Sequence, residues 1–210
     1  MYDMKALYEA ESVEHAIALR MEHPEAQIIA GGSDVLVQMR EGRRAGKELI
    51  SIYMIDAMRG VSIDEEENIR IGSLTSFSHI TRDPIIQQYI NVLGEAVDQV
   101  GSPQIRNIGT IGGNTCNGVT SADSASTLHA WEAIVELTGI NGLYQSRGRG
   151  YPRGRGRDPD SDPDPEGQLR KYLRSLYQVR HAQCNGDRLP RLQRQCPSER
   201  RQKDHRTLPH

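Results

Sequence analysis

Apolar residues change their spacing several times over the first 141 positions, and each change marks an element. Val13, Ala16, Ile17, Leu19 and Met21 follow Ser12 at helical intervals, which predicts an amphipathic helix capped by Ser12 and closed at Pro24. Gln27, Ile28, Ile29 and Ala30 then form a short apolar run that enters Gly31-Gly32-Ser33-Asp34, after which Val35, Leu36 and Met39 resume helical spacing. The unit reads as strand, glycine turn, helix. Residues 48–52, 60–63 and 68–72 have the period of strands, the last two joined by an acidic turn over 64–67 that reads as a solvated hairpin connection. Residues 76–82 and 84–100 have helical spacing, with Asp83 placed to cap the second stretch. From Ser102 the chain is glycine-rich again through Asn114, before Asp123 and an apolar stretch ending at Leu137. The head is therefore mixed α and β.

Composition divides the chain in two. The 210 residues are 36% hydrophobic and 26% charged, close to a globular average. Residues 1–141, however, carry 10 Lys and Arg against 20 Asp and Glu, whereas residues 142–210 carry 16 against 8. The second stretch has no Ile, Phe or Trp and a single Val, Val179, yet holds 14 Arg and 7 of the 10 Pro. Such a segment buries too little apolar surface to offset its chain entropy. A folded domain over 1–141 and a disordered tail over 142–210 are expected, with 147–167 a low-complexity Arg-Gly and Asp-Pro segment assigned no fold. No apolar run approaches the roughly 20 residues of a membrane span. The start lacks a secretory pattern, and Cys116, Cys184 and Cys196 make no disulfide framework. A reducing cytoplasm is the expected location.

The glycine loops are the candidate chemistry. A strand entering Gly31-Gly32-Ser33 at a helix start turns several backbone N–H groups toward one point, an arrangement suited to phosphate. Asp34 would repel phosphate, so it is expected to cap the helix with its carboxylate turned away. The chain has neither G-x-G-x-x-G nor G-x-x-x-x-G-K-[ST], so a nucleotide site here needs a different fold. In the second loop Gly109, Gly112 and Gly113 permit close backbone approach. Asn114, Thr120, Ser121 and Asp123 add polar groups for a ribityl or ribose chain. Two such loops in one small domain imply a long, diphosphate-bearing ligand, although a purely structural turn would explain the first loop alone.

The segments Ala30-Gly31-Gly32-Ser33-Asp34-Val35-Leu36 and Gln104-Ile105-Arg106-Asn107-Ile108-Gly109-Thr110-Ile111-Gly112-Gly113-Asn114, followed by Thr120-Ser121-Ala122-Asp123-Ser124-Ala125, resemble the FAD-binding subunit of molybdenum hydroxylases. The pattern is most similar to the separate flavin subunit of bacterial xanthine dehydrogenases, and it runs from Tyr2 to about Asn141. The resemblance implies an α+β, two-part FAD-binding domain of the p-cresol methylhydroxylase type, here incomplete. It implies that Gln27, Ile28, Ile29, Ala30, Gly31, Gly32, Ser33 and Asp34 wrap the FAD pyrophosphate. It also implies that Gly109, Thr110, Ile111, Gly112, Gly113, Asn114 and Asp123 line the rest of the cofactor. The implied partners are a molybdenum-cofactor large subunit and an iron–sulfur (2Fe–2S) small subunit, with NAD as electron acceptor and purine oxidation as the reaction. No side chain of this chain need act as acid, base or nucleophile, because the cofactor carries the chemistry. An aldehyde or carbon monoxide dehydrogenase is the alternative within the family, since the flavin subunit does not touch the substrate.

Other tempting residues have plainer readings. Cys116 is a packing residue, His79 and His129 are surface or core histidines, and Trp131 and Phe77 are core. Cys184, Cys196, His181 and His205 lack paired zinc spacing, so no metal is expected. The Arg-Gly tail could serve as a nucleic-acid-binding arm. The competing and preferred expectation is that it is out of frame. Reading one base later from Leu176 to His210 permits K-Y-A-M-R-x-A-M and alternating apolar residues, a string that resembles the segment after the flavin loops in xanthine dehydrogenases. Neither nucleic acid nor membrane is then a partner.

Overall fold

The computed structural model describes residues 3–119, 121–139, 142–147 and 177–180. Its first part runs strand β1 (Met4–Glu9), helix α1 (Val13–Glu22), strand β2 (Gln27–Ile29), helix α2 (Val35–Arg40) and strand β3 (Lys47–Ser51). The strands are parallel in the order β1-β3-β2, so each connection must cross over, and α1 and α2 are the crossovers. Central β3 shows why both helices are needed. Successive strand side chains point to opposite faces: Leu49 packs with Ile29 and Met39 of α2, while Ile50 packs with Ile28 and Ala16 of α1. Ser12 caps α1 as expected, its hydroxyl accepting from the His15 N–H at 3.1 Å. Met21 is 65% exposed, off the apolar face to which the sequence pattern assigned it.

The second part is an antiparallel sheet in the order β4-β5-β8-β6-β7, comprising β4 (Val61–Ile63), β5 (Ile69–Gly72), β6 (Ile134–Gly139), β7 (Gly142–Arg147) and β8 (Tyr177–Arg180). Between β5 and β6 run six helices: α3 (Phe77–Arg82), α4 (Pro84–Tyr89), α5 (Asn91–Asp98), α6 (Pro103–Ile108), α7 (Ile111–Asn117) and α8 (Asp123–Ala130). Ile69 and Ile71 of β5 pack among Phe77, Ile80, Leu93, Val97 and Ile111 from these helices. On the opposite face Arg70 reaches Glu136 of β6, Nη2 to Oε2 at 2.7 Å, which compensates a carboxylate buried to 3% exposure. Among the described residues no helix is long and apolar enough to cross a membrane.

The two-part α+β architecture agrees with expectation, with three departures. The single helix expected over 84–100 is two, because Ile90 leaves helical geometry (φ −138°, ψ 47°) to enter the core and α5 turns Leu93, Gly94 and Val97 inward. Asp83 does cap the first of them, its Oδ1 accepting from the N–H groups of Ile85 and Ile86. Strand β1 and helices α6, α7 and α8 are additional to the elements read from the sequence. Finally, residues 142–147 and 177–180, expected in a tail outside the fold, are strands: β7 pairs with β6, and β8 lies between β5 and β6 with Val179 opposite Ile71 and Val135. Strand pairing uses backbone groups that almost every residue carries, so an apolar-poor composition does not forbid it. The expectation of disorder over 148–176 and 181–210 lies outside the described residues.

Candidate functional site

The two parts meet at a cavity of about 390 Å³ whose walls come from both loops. Gln27, Ile28 and residues 30–34 face it from the first part, and Gly109, Thr110, Gly113 and Asn114 from the second. Gly31 is the point of contact. A Cβ there would lie 1.8 Å from the carbonyl oxygen of Ile108, so the loops touch backbone to backbone with no room for a side chain.

The first loop leaves its donors free. Gly32 adopts φ +76°, which favours glycine, and the N–H groups of Gly31, Gly32, Ser33 and Asp34 donate to no acceptor among the described residues. Asp34 does not cap α2, contrary to expectation: it sits in helical geometry itself (φ −98°, ψ −46°), whereas a capping side chain needs an extended backbone. Its carboxylate instead lines the cavity and accepts from the Gln38 side-chain amide.

The second loop has already used most of its donors. The Ile111 N–H bonds the Thr75 carbonyl at 3.1 Å, the Gly112 N–H bonds the Ser73 carbonyl at 2.9 Å, and the Asn114 N–H bonds the Thr110 carbonyl at 3.0 Å. Thr110 is the N-cap of α7, its hydroxyl accepting from the Gly113 N–H at 3.2 Å. A Cβ on Gly112 would meet Ser73 Cβ at 2.5 Å, and one on Gly109 would meet the Ile105 carbonyl at 2.9 Å and Phe77 at 3.0 Å. Asn114 faces the cavity with its Oδ1 held by the Ser124 hydroxyl at 2.6 Å.

Five expected site residues are not at the cavity wall, Ser121, which is exposed, among them. Ile29 packs against Met39 and Leu49, Ile111 is fully buried in the second core, Gly112 is buried against Ser73, and Asp123 sits in the first turn of α8. Thr120 lies outside the described residues. Conversely, Arg44, Ser73, Phe77, Val100, Cys116 and Asn117 line the cavity without having been singled out as ligand-lining residues. Ser73 Oγ is buried with no hydrogen-bond partner among the described residues, and Arg44 donates to the side-chain oxygens of Gln27 and Gln38. An apolar wall from Ile28, Leu74, Phe77 and Val100 beside free backbone donors suits a long ligand with a flat apolar end and an anionic middle.

Comparison with known proteins gives this geometry its family. The profile of the FAD binding domain in molybdopterin dehydrogenase matches residues 2–157. The chain belongs to this family. Its cofactor is FAD, and the free N–H groups of the first loop together with the orphaned Ser73 hydroxyl fit that cofactor. The putative xanthine dehydrogenase FAD-binding subunit XdhB of Escherichia coli (strain K12) is 36% identical over 143 residues, 68% of this chain and 49% of that protein. The nicotinate dehydrogenase FAD-subunit of Eubacterium barkeri is 35% identical over 120 residues, 57% of this chain and 40% of that protein. Among solved structures, carbon monoxide dehydrogenase from Hydrogenophaga pseudoflava superposes with a TM-score of 0.74 at 26% identity, over 86% of this chain and 60% of that one. The flavin domain spans about half the length of the curated relatives it matches.

Proposed function

We propose that this flavin domain holds FAD across its two loops, residues 27–34 around the diphosphate and residues 109–114 along the rest of the cofactor. We propose further that it is the flavin relay of a xanthine dehydrogenase. The observation that carries the binding mode is the run of four free N–H groups from Gly31 to Asp34, residues that line the cavity the loops share. When bound, FAD would supply the redox chemistry of a relay between iron–sulfur centres and NAD. The chain's own residues bind and orient it. Gly31 lets the two loops close on each other, Gly32 supplies the left-handed turn that leaves the loop N–H groups free, Ser33 adds a hydroxyl, and Phe77 and Val100 exclude water from the apolar end. The partners of this reading are a molybdenum-cofactor large subunit and a 2Fe–2S small subunit, in the cytoplasm.

Xanthine as substrate is supported by the identity to the Escherichia coli subunit. A carbon monoxide dehydrogenase reading draws on the structural likeness to the Hydrogenophaga pseudoflava enzyme. Co-expression with the molybdenum and iron–sulfur subunits of the same genome separates them: xanthine-dependent NAD reduction is expected, and reduction driven only by carbon monoxide or an aldehyde overturns the xanthine assignment. Titration of the purified chain with FAD should quench flavin fluorescence saturably.

The out-of-frame reading of the Arg-rich tail is part of this proposal. Its test is the gene itself, where a frame offset by one base should encode K-Y-A-M-R-x-A-M between Leu176 and His210. A stop codon in that frame within this interval overturns the reading.

A further inference from the structure

A diphosphate is a dianion, and backbone N–H groups offer it only partial charges. Resting on the flavin reading above, we propose that Arg44 is the fixed cation of this site. Its guanidinium, clamped by Gln27 and Gln38, would meet the FAD diphosphate and set the preference for a dinucleotide over an uncharged flavin.

The segment after α2 folds back on itself. The Arg43 N–H bonds the Gln38 carbonyl at 3.0 Å, which returns the chain along the helix and brings Arg44 to the wall of the cavity that Gly31, Gly32 and Ser33 also line. Its neighbour Arg43 points elsewhere and pairs with Glu41. Arg44 is half-buried, and no carboxylate among the described residues is ion-paired to it.

Its partners are instead two neutral amides. A guanidinium can only donate, so both glutamines must turn their oxygens toward it. Both are held that way: Gln27 gives its side-chain N–H to the Ile28 carbonyl at 3.0 Å, and Gln38 gives its own to the Asp34 carboxylate. Nε and Nη1 of Arg44 are taken by Gln38 and Gln27 respectively, which leaves the Nη2 donors for an anion. The nearest acidic side chain on the cavity wall, Asp34, is separated from Arg44 by Gln38, so the cation is oriented without being neutralised. A positive charge held by neutral groups at the wall of a cavity also lined by the residues of four free N–H groups is a site prepared for an anion.

The full chain, its Arg44→Gln and Arg44→Lys variants, and Gln38→Met should be titrated with FAD at low and at high salt, with flavin fluorescence as the readout and circular dichroism to follow folding. Arg44→Gln is expected to weaken FAD about tenfold or more at low salt, the order expected for one charge-assisted contact. It should also flatten the salt dependence, since that dependence comes from the ion pair. Arg44→Lys should keep the salt dependence and lose less affinity. Gln38→Met, which frees the guanidinium without removing it, should weaken FAD a few-fold while the salt dependence stays; it serves as the second test if Arg44→Gln does not fold. An Arg44→Gln variant with unchanged FAD affinity, or one weakened with its salt dependence intact, overturns the role of Arg44 and leaves the flavin site standing. Failure of the unmodified chain to bind FAD overturns the flavin site, and Arg44 with it.

Discussion

The two glycine loops look alike in sequence and differ in what their glycines do. In the first loop Gly31 packs on the Ile108 carbonyl and Gly32 serves a left-handed turn, but the N–H groups of both remain free. In the second, Gly109 and Gly112 serve the protein's own packing, and the N–H groups of Ile111 and Gly112 are spent on the strand-end segment at Ser73 and Thr75. One loop presents donors, whereas the other is a rigid wall. Glycine enrichment alone therefore does not identify a phosphate loop, because only the fate of the backbone donors separates a ligand cradle from a tight junction.

Substitutions along the two loops can break this contrast. The largest effect is expected from Gly31→Val, since its Cβ would overlap the Ile108 carbonyl and force the loops apart. Overpacking of this kind should cost on the order of 3 kcal/mol, seen as a large fall in Tm together with loss of FAD. Gly112→Ala comes next. With Ser73 backbone and Cβ both closer than 3 Å to the new methyl, a loss of about 1–3 kcal/mol is expected, with FAD weakened only as far as the fold is. Gly32→Val should reverse that pattern. Its Cβ meets the flexible ends of Ile29 and Leu36 at 3.0 and 3.2 Å, so the stability cost is the left-handed backbone, roughly 1–2 kcal/mol, while relief of that strain would turn the loop's free N–H groups and FAD binding in titration should fall further than stability does. His79→Ala, at an exposed imidazole paired with the largely buried Asp83 carboxylate, is the control and should leave FAD binding intact. If Gly112→Ala and Gly32→Val lose FAD in equal proportion to their stability, the division of labour between the loops is wrong.

The first part of the fold was legible because its signals are local. The Ser12 cap, the apolar run at 27–29, the glycine turn and the paired apolar residues of β3 each sit within a few positions of one another. Strand β1 was not, because it is an edge strand whose residues are exposed or half-buried without apolar alternation. Helix α7 was hidden by the glycines within it and α6 by its shortness between Gly101 and Gly109, and the break at Ile90 by an unbroken helical spacing that ignores which face must reach the core. At the site, local reading found both loops and missed what they lean on. Ser73 reaches the second loop from the end of β5, and Arg44 reaches the first only after a turn back along α2, so neither carries a mark in the sequence. Asp123 shows the converse, a polar residue close to the loop in sequence but in the first turn of α8 in space.

The smallest expected effects come from the residues that begin the two short helices, and they sharpen the contrast most directly. Thr110 caps α7 through the Gly113 N–H, so Thr110→Ala should cost about 1 kcal/mol. Asp34 occupies the matching position before α2 and makes no capping bond. Asp34→Asn should therefore leave Tm almost unchanged, because the new amide oxygen can still accept from Gln38. The substitution does remove a negative charge from the cavity wall beside four free N–H groups, where it opposes an arriving diphosphate. Since the carboxylate is exposed and screened by solvent, the gain should be modest, about two- to threefold tighter FAD at low salt and less at high salt. Calorimetric melting and FAD titration at two salt concentrations measure both quantities. A Tm drop comparable to that of Thr110→Ala would mean that Asp34 caps after all. Unchanged FAD affinity at low salt would place the diphosphate away from the first loop.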